Sequence, residues 1–173
     1  QLERFLPNLN VFTMVNHTLE NDQPDNRLSL LFQHDLTKMK KLVLSNISVR
    51  GNSEWSAPSN LFNLEDLVLN IRNLPFGPKS LHRIFLTSIH LTSLVVHIRI
   101  CDLKELIESV SARLPLLRSL SIKLAPVQKE VMPFLKCKLF PEYLNYIALH
   151  FDYATTDLND IVTALLAASF YNS

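Results

Sequence analysis

Glycine is almost missing: the 173-residue chain holds only Gly51 and Gly77. Phosphate-cradling loops and dinucleotide folds need several glycines, because only a backbone without Cβ approaches a phosphate closely. That scarcity argues against a nucleotide site; no cofactor and no small-molecule substrate are expected. Cysteine is equally sparse, with Cys101 and Cys137 alone. Extracellular proteins of this size usually staple their ends with disulfides, and no cysteine cluster lies at either end. This usage points to a reducing compartment, cytosol or nucleus. Seventeen cations face sixteen anions, a net charge of +1, so nothing draws the chain toward nucleic acid or an anionic membrane. No arginine-rich or aromatic-interleaved stretch adds a nucleic-acid signal. No apolar run approaches the roughly 18 residues that span a bilayer, and no basic segment followed by an apolar one opens the chain as a secretory leader does. Asn16-His17-Thr18 and Asn46-Ile47-Ser48 are glycosylation triplets, but about two are expected by chance in this composition.

What remains is an apolar-rich chain, 47% hydrophobic and 19% charged, enough for one domain with a sizeable core. Its hydrophobic residues follow a rule: apolar, two residues, apolar, one residue, apolar. Copies are Leu6-Leu9-Val11, Met39-Leu42-Leu44, Leu64-Leu67-Leu69, Leu81-Ile84-Leu86, Leu91-Leu94-Val96, Leu117-Leu120-Ile122 and Leu144-Ile147-Leu149. The last two members of each copy are two apart, which is strand periodicity with both side chains on one face. From Leu42 through Leu67, Leu94 and Leu120 to Ile147 the steps are 25, 27, 26 and 27 residues; the step from Leu9 to Leu42 is 33. A period near 26 falls within the roughly 20–29 of leucine-rich repeats. The out-of-phase copy Leu81-Ile84-Leu86 is either a short repeat or, as we prefer, a helix on the opposite side that mimics the pattern.

Between strands the period turns helical. Leu103, Leu106, Ile107 and Val110 share a helix face, Asp102 and Glu105 form a potential capping box, and Pro115 follows the end. Residues 127–138, interrupted by Pro133, and 157–170 read as two further helices. Strand then helix, repeated, predicts a right-handed α/β solenoid of about six repeats, with a parallel sheet on the concave face and helices on the convex face. Residues 1–173 form a single domain in this reading. Residues 1–7 resemble the tail of a preceding helix and no strand follows the last one, so the chain is expected to be a piece of a longer protein. Two polar stretches, 20–27 and 51–58, are expected as surface loops; Trp55 in the second is either folded back onto its repeat or a partner anchor.

The stretches 114–122 (Leu-Pro-Leu-Leu-Arg-Ser-Leu-Ser-Ile) and 61–69 (Leu-Phe-Asn-Leu-Glu-Asp-Leu-Val-Leu) resemble irregular, long leucine-rich repeats. Repeats of this kind are similar to those of F-box substrate receptors and of the sensor arms of intracellular nucleotide-binding immune receptors. The resemblance departs at the asparagine that often follows the strand, where Ile47, Arg72, Ile89, Arg99, Ala125 and Asp152 stand. Cys101 and Cys137 lie near, not on, the positions of the cysteine-containing class. The resemblance implies a protein-interaction module: the substrate-recognition arm of an F-box-like ubiquitin-ligase receptor, or alternatively an immune-receptor sensor arm. A purely structural spacer is the third reading.

The residues beside and between the paired apolar positions face outward on the concave sheet. The central row is Asn10, Val43, Val68, Val95, Ser121 and Ala148, with Phe85 if its copy is a strand. One flank is Phe12, Ser45, Asn70, His97, Lys123 and His150; the other is Asn8, Lys41, Asp66, Ser93, Ser119 and Tyr146. A partly apolar row with polar and aromatic flanks suits a protein or peptide, although valines here also simply favour strands. The expected contact set is Val43, Val68, Val95, Ser121 and Ala148, with Asn70, His97, Lys123, His150 and Tyr146. Lys38, Lys40 and Lys41 form the densest basic cluster, a phosphate or acidic-peptide contact or a solvated patch.

Chemistry has no visible seat. His97 and His150 are two strands apart, about 10 Å, too far for one metal ion. Glu105 with Glu108 reads as a solvated helix face, Cys101 as a packed corner residue, and no nucleophile elbow occurs. No catalytic set and no metal site are expected.

Overall fold

In the computed structural model the described residues are 8–16, 18–20, 36–50, 60–72, 78–99, 102–125 and 143–151, and structural statements below concern these alone. They form strands β1 (Val11–Val15), β2 (Thr18–Glu20), β3 (Lys41–Arg50), β4 (Asp66–Arg72), β5 (Ser93–Arg99), β6 (Ser119–Ala125) and β7 (Tyr146–Phe151). Two helices interleave, α1 (Pro78–Thr87) and α2 (Leu103–Arg113). The sheet runs β1-β3-β4-β5-β6-β7, with β2 also on β3, and every pairing is parallel. Parallel neighbours cannot be joined by a tight hairpin, so each connection must cross back over one face. Between β4 and β5, and between β5 and β6, α1 and α2 lie within those connections.

The repeat rule becomes ladder register. Leu42, Leu67, Leu94 and Leu120 occupy one rung line, and Leu44, Leu69, Val96 and Ile122 another. All eight are buried, as are Met39, Leu64, Leu91 and Leu117 three residues before each strand leucine. From the helices, Leu81, Ile84 and Phe85 of α1 and Leu103, Leu106, Ile107 and Val110 of α2 join the same core. Burying each such side chain stabilises the fold by about 1.5–3 kcal/mol, so strand and helix faces depend on one another.

Strands β3 to β6 are each preceded by a turn of one shape. The amide of Met39 bonds the carbonyl of Leu36 at 2.9 Å, Leu64 that of Leu61 at 3.2 Å, Leu91 that of Ser88 at 3.1 Å, and Leu117 that of Leu114 at 3.2 Å. Ser88 takes the place of leucine in the turn that follows α1. Its buried hydroxyl donates back to Ile84 O at 2.8 Å, which removes the cost of an unpaired polar group. Beyond the turns, one carbonyl per repeat accepts two amides from the next: Lys40 O takes Glu65 and Asp66 N–H, Glu65 O takes Thr92 and Ser93 N–H, and Thr92 O takes Arg118 and Ser119 N–H.

The segment 81–86 is helical, in line with the preferred reading of that out-of-phase copy. The first repeat differs from expectation. Phe12 pairs with Leu42 and Met14 with Leu44, so the inward residues are Phe12 and Met14 rather than Leu9 and Val11. Leu9 instead stands where Met39 does, and the anomalous step of 33 residues becomes one of 30. The expected outward residues Asn8, Asn10 and Phe12 are therefore replaced by Val11, Thr13 and Val15. Leu9-Phe12-Met14 obeys the same apolar rule as Leu6-Leu9-Val11, and the spacing alone does not choose between the two overlapping copies.

A second difference concerns α2. Asp102 has helical backbone angles, φ −88° and ψ −6°, and its side chain makes no capping hydrogen bond, so the expected capping box is not formed. The helix is held by its apolar face and ends as predicted, with Leu114 N–H donating to Val110 O. The expected helices at 127–138 and 157–170, the loop with Trp55, and both cysteines lie outside the described residues.

The two glycosylation triplets fall in register, Thr18 opposite Ser48, with Asn16 and Asn46 just before them. Both asparagines are left-handed, at φ 59° and 54°, and Asn46 Nδ2 donates to Asn16 Oδ1 at 2.6 Å. Asn46 is the extra residue that shifts the β3–β4 register between Ser45 and Ile47. Asparagine tolerates this conformation where a β-branched residue does not. Replacing Asn46→Val should cost about 1–2 kcal/mol, whereas Asn46→Gly should keep the bulge and lose less, by urea titration of both variants. Equal losses would mean that the backbone conformation is not what asparagine supplies.

Candidate functional site

The parallel register brings the expected central row together. Val43 pairs with Val68, Val68 with Val95, Val95 with Ser121, and Ser121 with Ala148, and Thr13 extends the row at the β1 edge. Their parity is opposite to the buried leucines, so they point to the other face of the sheet. Val43, Val68, Val95, Ser121 and Ala148 are all half-buried. Neighbouring strands are about 4.8 Å apart, so from β3 to β7 the row spans about 19 Å.

On the flank toward the strand ends, Ser45 pairs with Asn70, His97 with Lys123, and Lys123 with His150. His97 continues the line one rung beyond the bonded pair Leu69–Val96. This row holds no carboxylate. Both ring nitrogens of His97 are shielded from solvent, while His150 is exposed. Asn70 Oδ1 is buried without a hydrogen-bond donor among the described residues, a loss of about 1–3 kcal/mol for an unpaired acceptor. Asn70→Val should therefore raise the unfolding free energy by about 1 kcal/mol. A lower stability in urea titration would show that the amide is satisfied.

The opposite flank is Lys41, Asp66, Ser93, Ser119 and Tyr146, in register from β3 to β7. Tyr146 is exposed. Lysines of the basic cluster are committed to adjacent strands: Lys38 Nζ donates to Asn8 Oδ1 at 2.7 Å, Lys40 Nζ meets Glu65 Oε1 at 2.9 Å, and Lys41 Nζ lies 3.6 Å from Asp66 Oδ2. All three lysines are exposed, in keeping with the solvated-patch reading of this cluster, and each also reaches a residue of a neighbouring repeat. The pairs are exposed, and each contributes at most about 1 kcal/mol.

No group of three or more metal-capable side chains occurs among the described residues, and none of their helices is long and apolar enough to cross a membrane. Sequence reasoning missed Val11, Thr13 and Val15, for the register reason given above. It also missed the turn residues Phe62, Ile89, Leu116 and Tyr143, whose signal is an apolar side chain inside a two-residue turn. No protein-family model, curated protein or solved structure matches the chain.

Proposed function

We propose that the chain is a leucine-rich-repeat solenoid acting as a protein–protein interaction module, which grips a protein or peptide on the open face of its sheet. The observation that carries this reading is the unbroken row Val43-Val68-Val95-Ser121-Ala148, in ladder register across five strands and opposite in parity to the buried leucines. Asn70, His97, Lys123 and His150 on one flank and Tyr146 on the other supply polar and aromatic contacts beside a partly apolar strip. Protein interfaces combine these same elements: an apolar centre, aromatic anchors and a polar rim. The activity we propose for this row is binding.

The setting we propose is the substrate-recognition arm of an F-box-like ubiquitin-ligase receptor in the cytosol or nucleus. Long irregular repeats and sparse cysteine support it, and it rests on resemblance. Affinity purification of the full natural protein tests it. Ligase adaptor subunits should co-purify through a module outside residues 1–173. A natural protein with no adaptor-binding module and no ligase subunits in the purified material rejects that setting and leaves the binding face to be judged separately.

A further inference from the structure

The strand-entry rim of the sheet carries a second surface, distinct from the open face. Each strand from β4 to β7 is preceded by a turn that exposes one large apolar residue, Phe62 and Ile89 at its first central position and Leu116 and Tyr143 at its second, with exposures of 50%, 51%, 42% and 58%. The hydrogen bonds Leu64 N–Leu61 O, Leu91 N–Ser88 O and Leu117 N–Leu114 O hold the first three turns in one shape. Turn centres ordinarily carry polar residues, glycine or proline, and single exposed apolar residues are unremarkable. Four on consecutive turns, stepping by one turn position between Ile89 and Leu116, form a staggered stripe beside Asn63 and His90. Beside Phe62 and Ile89 in the chain lies an open depression of about 350 Å³, lined by Lys40, Asn63, Glu65, His90 and Thr92.

We infer that this rim docks an amphipathic helix of a partner protein, with carboxylates flanking the helix's apolar side. Pitch and charge both favour that occupant. One helical turn rises about 5.4 Å and one strand spacing is about 4.8 Å, so successive turns of a helix meet successive repeats. From Phe62 to Tyr143 is three spacings, about 14 Å, or roughly nine to ten helical residues. The charge is one-sided. Across residues 36–40, 60–65, 88–92, 113–118 and 143–145, Lys38, Lys40, Arg113 and Arg118 face one carboxylate, Glu65, which Lys40 already binds. Arg113 and Arg118 bracket Leu116 in the chain and are both exposed. A second copy would bring like charges together, which disfavours self-association.

Selection of a displayed library of random amphipathic helices against the 173-residue chain tests the inference. The library carries acidic, basic or neutral flanks in equal share. Acid-flanked helices should be enriched, and a synthesised winner should bind Phe62→Glu with Ile89→Glu, and separately Arg118→Glu, at least tenfold more weakly. Its affinity for Val68→Glu with Val95→Glu, on the other face, should stay within twofold. Thermal melts check folding, and exposed positions make the rim substitutions mild. Enrichment of basic helices, absence of any enrichment, or affinity unchanged in the rim variants overturns the inference. So does rim-dependent sedimentation with phosphatidylserine vesicles without helix binding, or a rim-dependent dimer.

Discussion

Phe85→Ala should lower the unfolding free energy by about 3–5 kcal/mol, the range for removing a buried aromatic ring. Phe85 is fully buried and the largest of the wholly enclosed side chains. It lines the narrow cleft between α1 and α2 together with Leu81, Leu106 and Ser109. Truncation removes the ring's transfer free energy and leaves a void bounded by two helices, neither of which can collapse without leaving the sheet. Urea denaturation followed by circular dichroism reads the effect. Leu86→Ala, one residue along on the exposed side of α1, should change stability by less than about 0.5 kcal/mol. Similar losses at both positions would mean that α1 does not pack as described.

The second large effect is on binding. Val68→Glu with Val95→Glu should weaken binding of the proposed partner at least a hundredfold, about 2.7 kcal/mol. The two positions are direct ladder neighbours at the middle of the row, so a docked partner would have to bury two adjacent carboxylates. Paired like charges also cost some stability. Val68→Thr with Val95→Thr is therefore the companion: it keeps the β-branched shape and the fold, and should lose less affinity than the carboxylate pair. A protein that only spaces other modules would keep all its interactions in both variants.

The architecture was legible where leucine or a close relative marks every coil. The spacing through Leu42, Leu67, Leu94, Leu120 and Ile147 identifies the register of β3 to β7, and with it the row Val43, Val68, Val95, Ser121 and Ala148. It failed at β1, because Leu6-Leu9-Val11 and Leu9-Phe12-Met14 both satisfy the apolar rule and only strand pairing selects the second. The asparagine pair was hidden by the same misplacement: Asn16 and Asn46 are 30 residues apart, the offset that pairs β1 with β3, whereas the spacing read from Leu9 was 33. Asp102 looked like a cap, but its backbone already turns helically, which takes the carboxylate out of capping geometry. The partners of the lysine cluster, Asn8, Glu65 and Asp66, were not legible because they are distant in the chain and adjacent only once the strands pair.

A photo-reactive benzoylphenylalanine placed in turn at Val95, Ser121 and Glu105, in the cells that make the protein, probes the proposed docking face most directly. Val95 and Ser121 lie side by side on the open face, whereas Glu105 is exposed on α2 behind the core. Irradiation should attach one and the same protein to Val95 and Ser121, and leave Glu105 without it. Attachment through Glu105 alone, or none at either strand position, would contradict the assignment of that face to a partner.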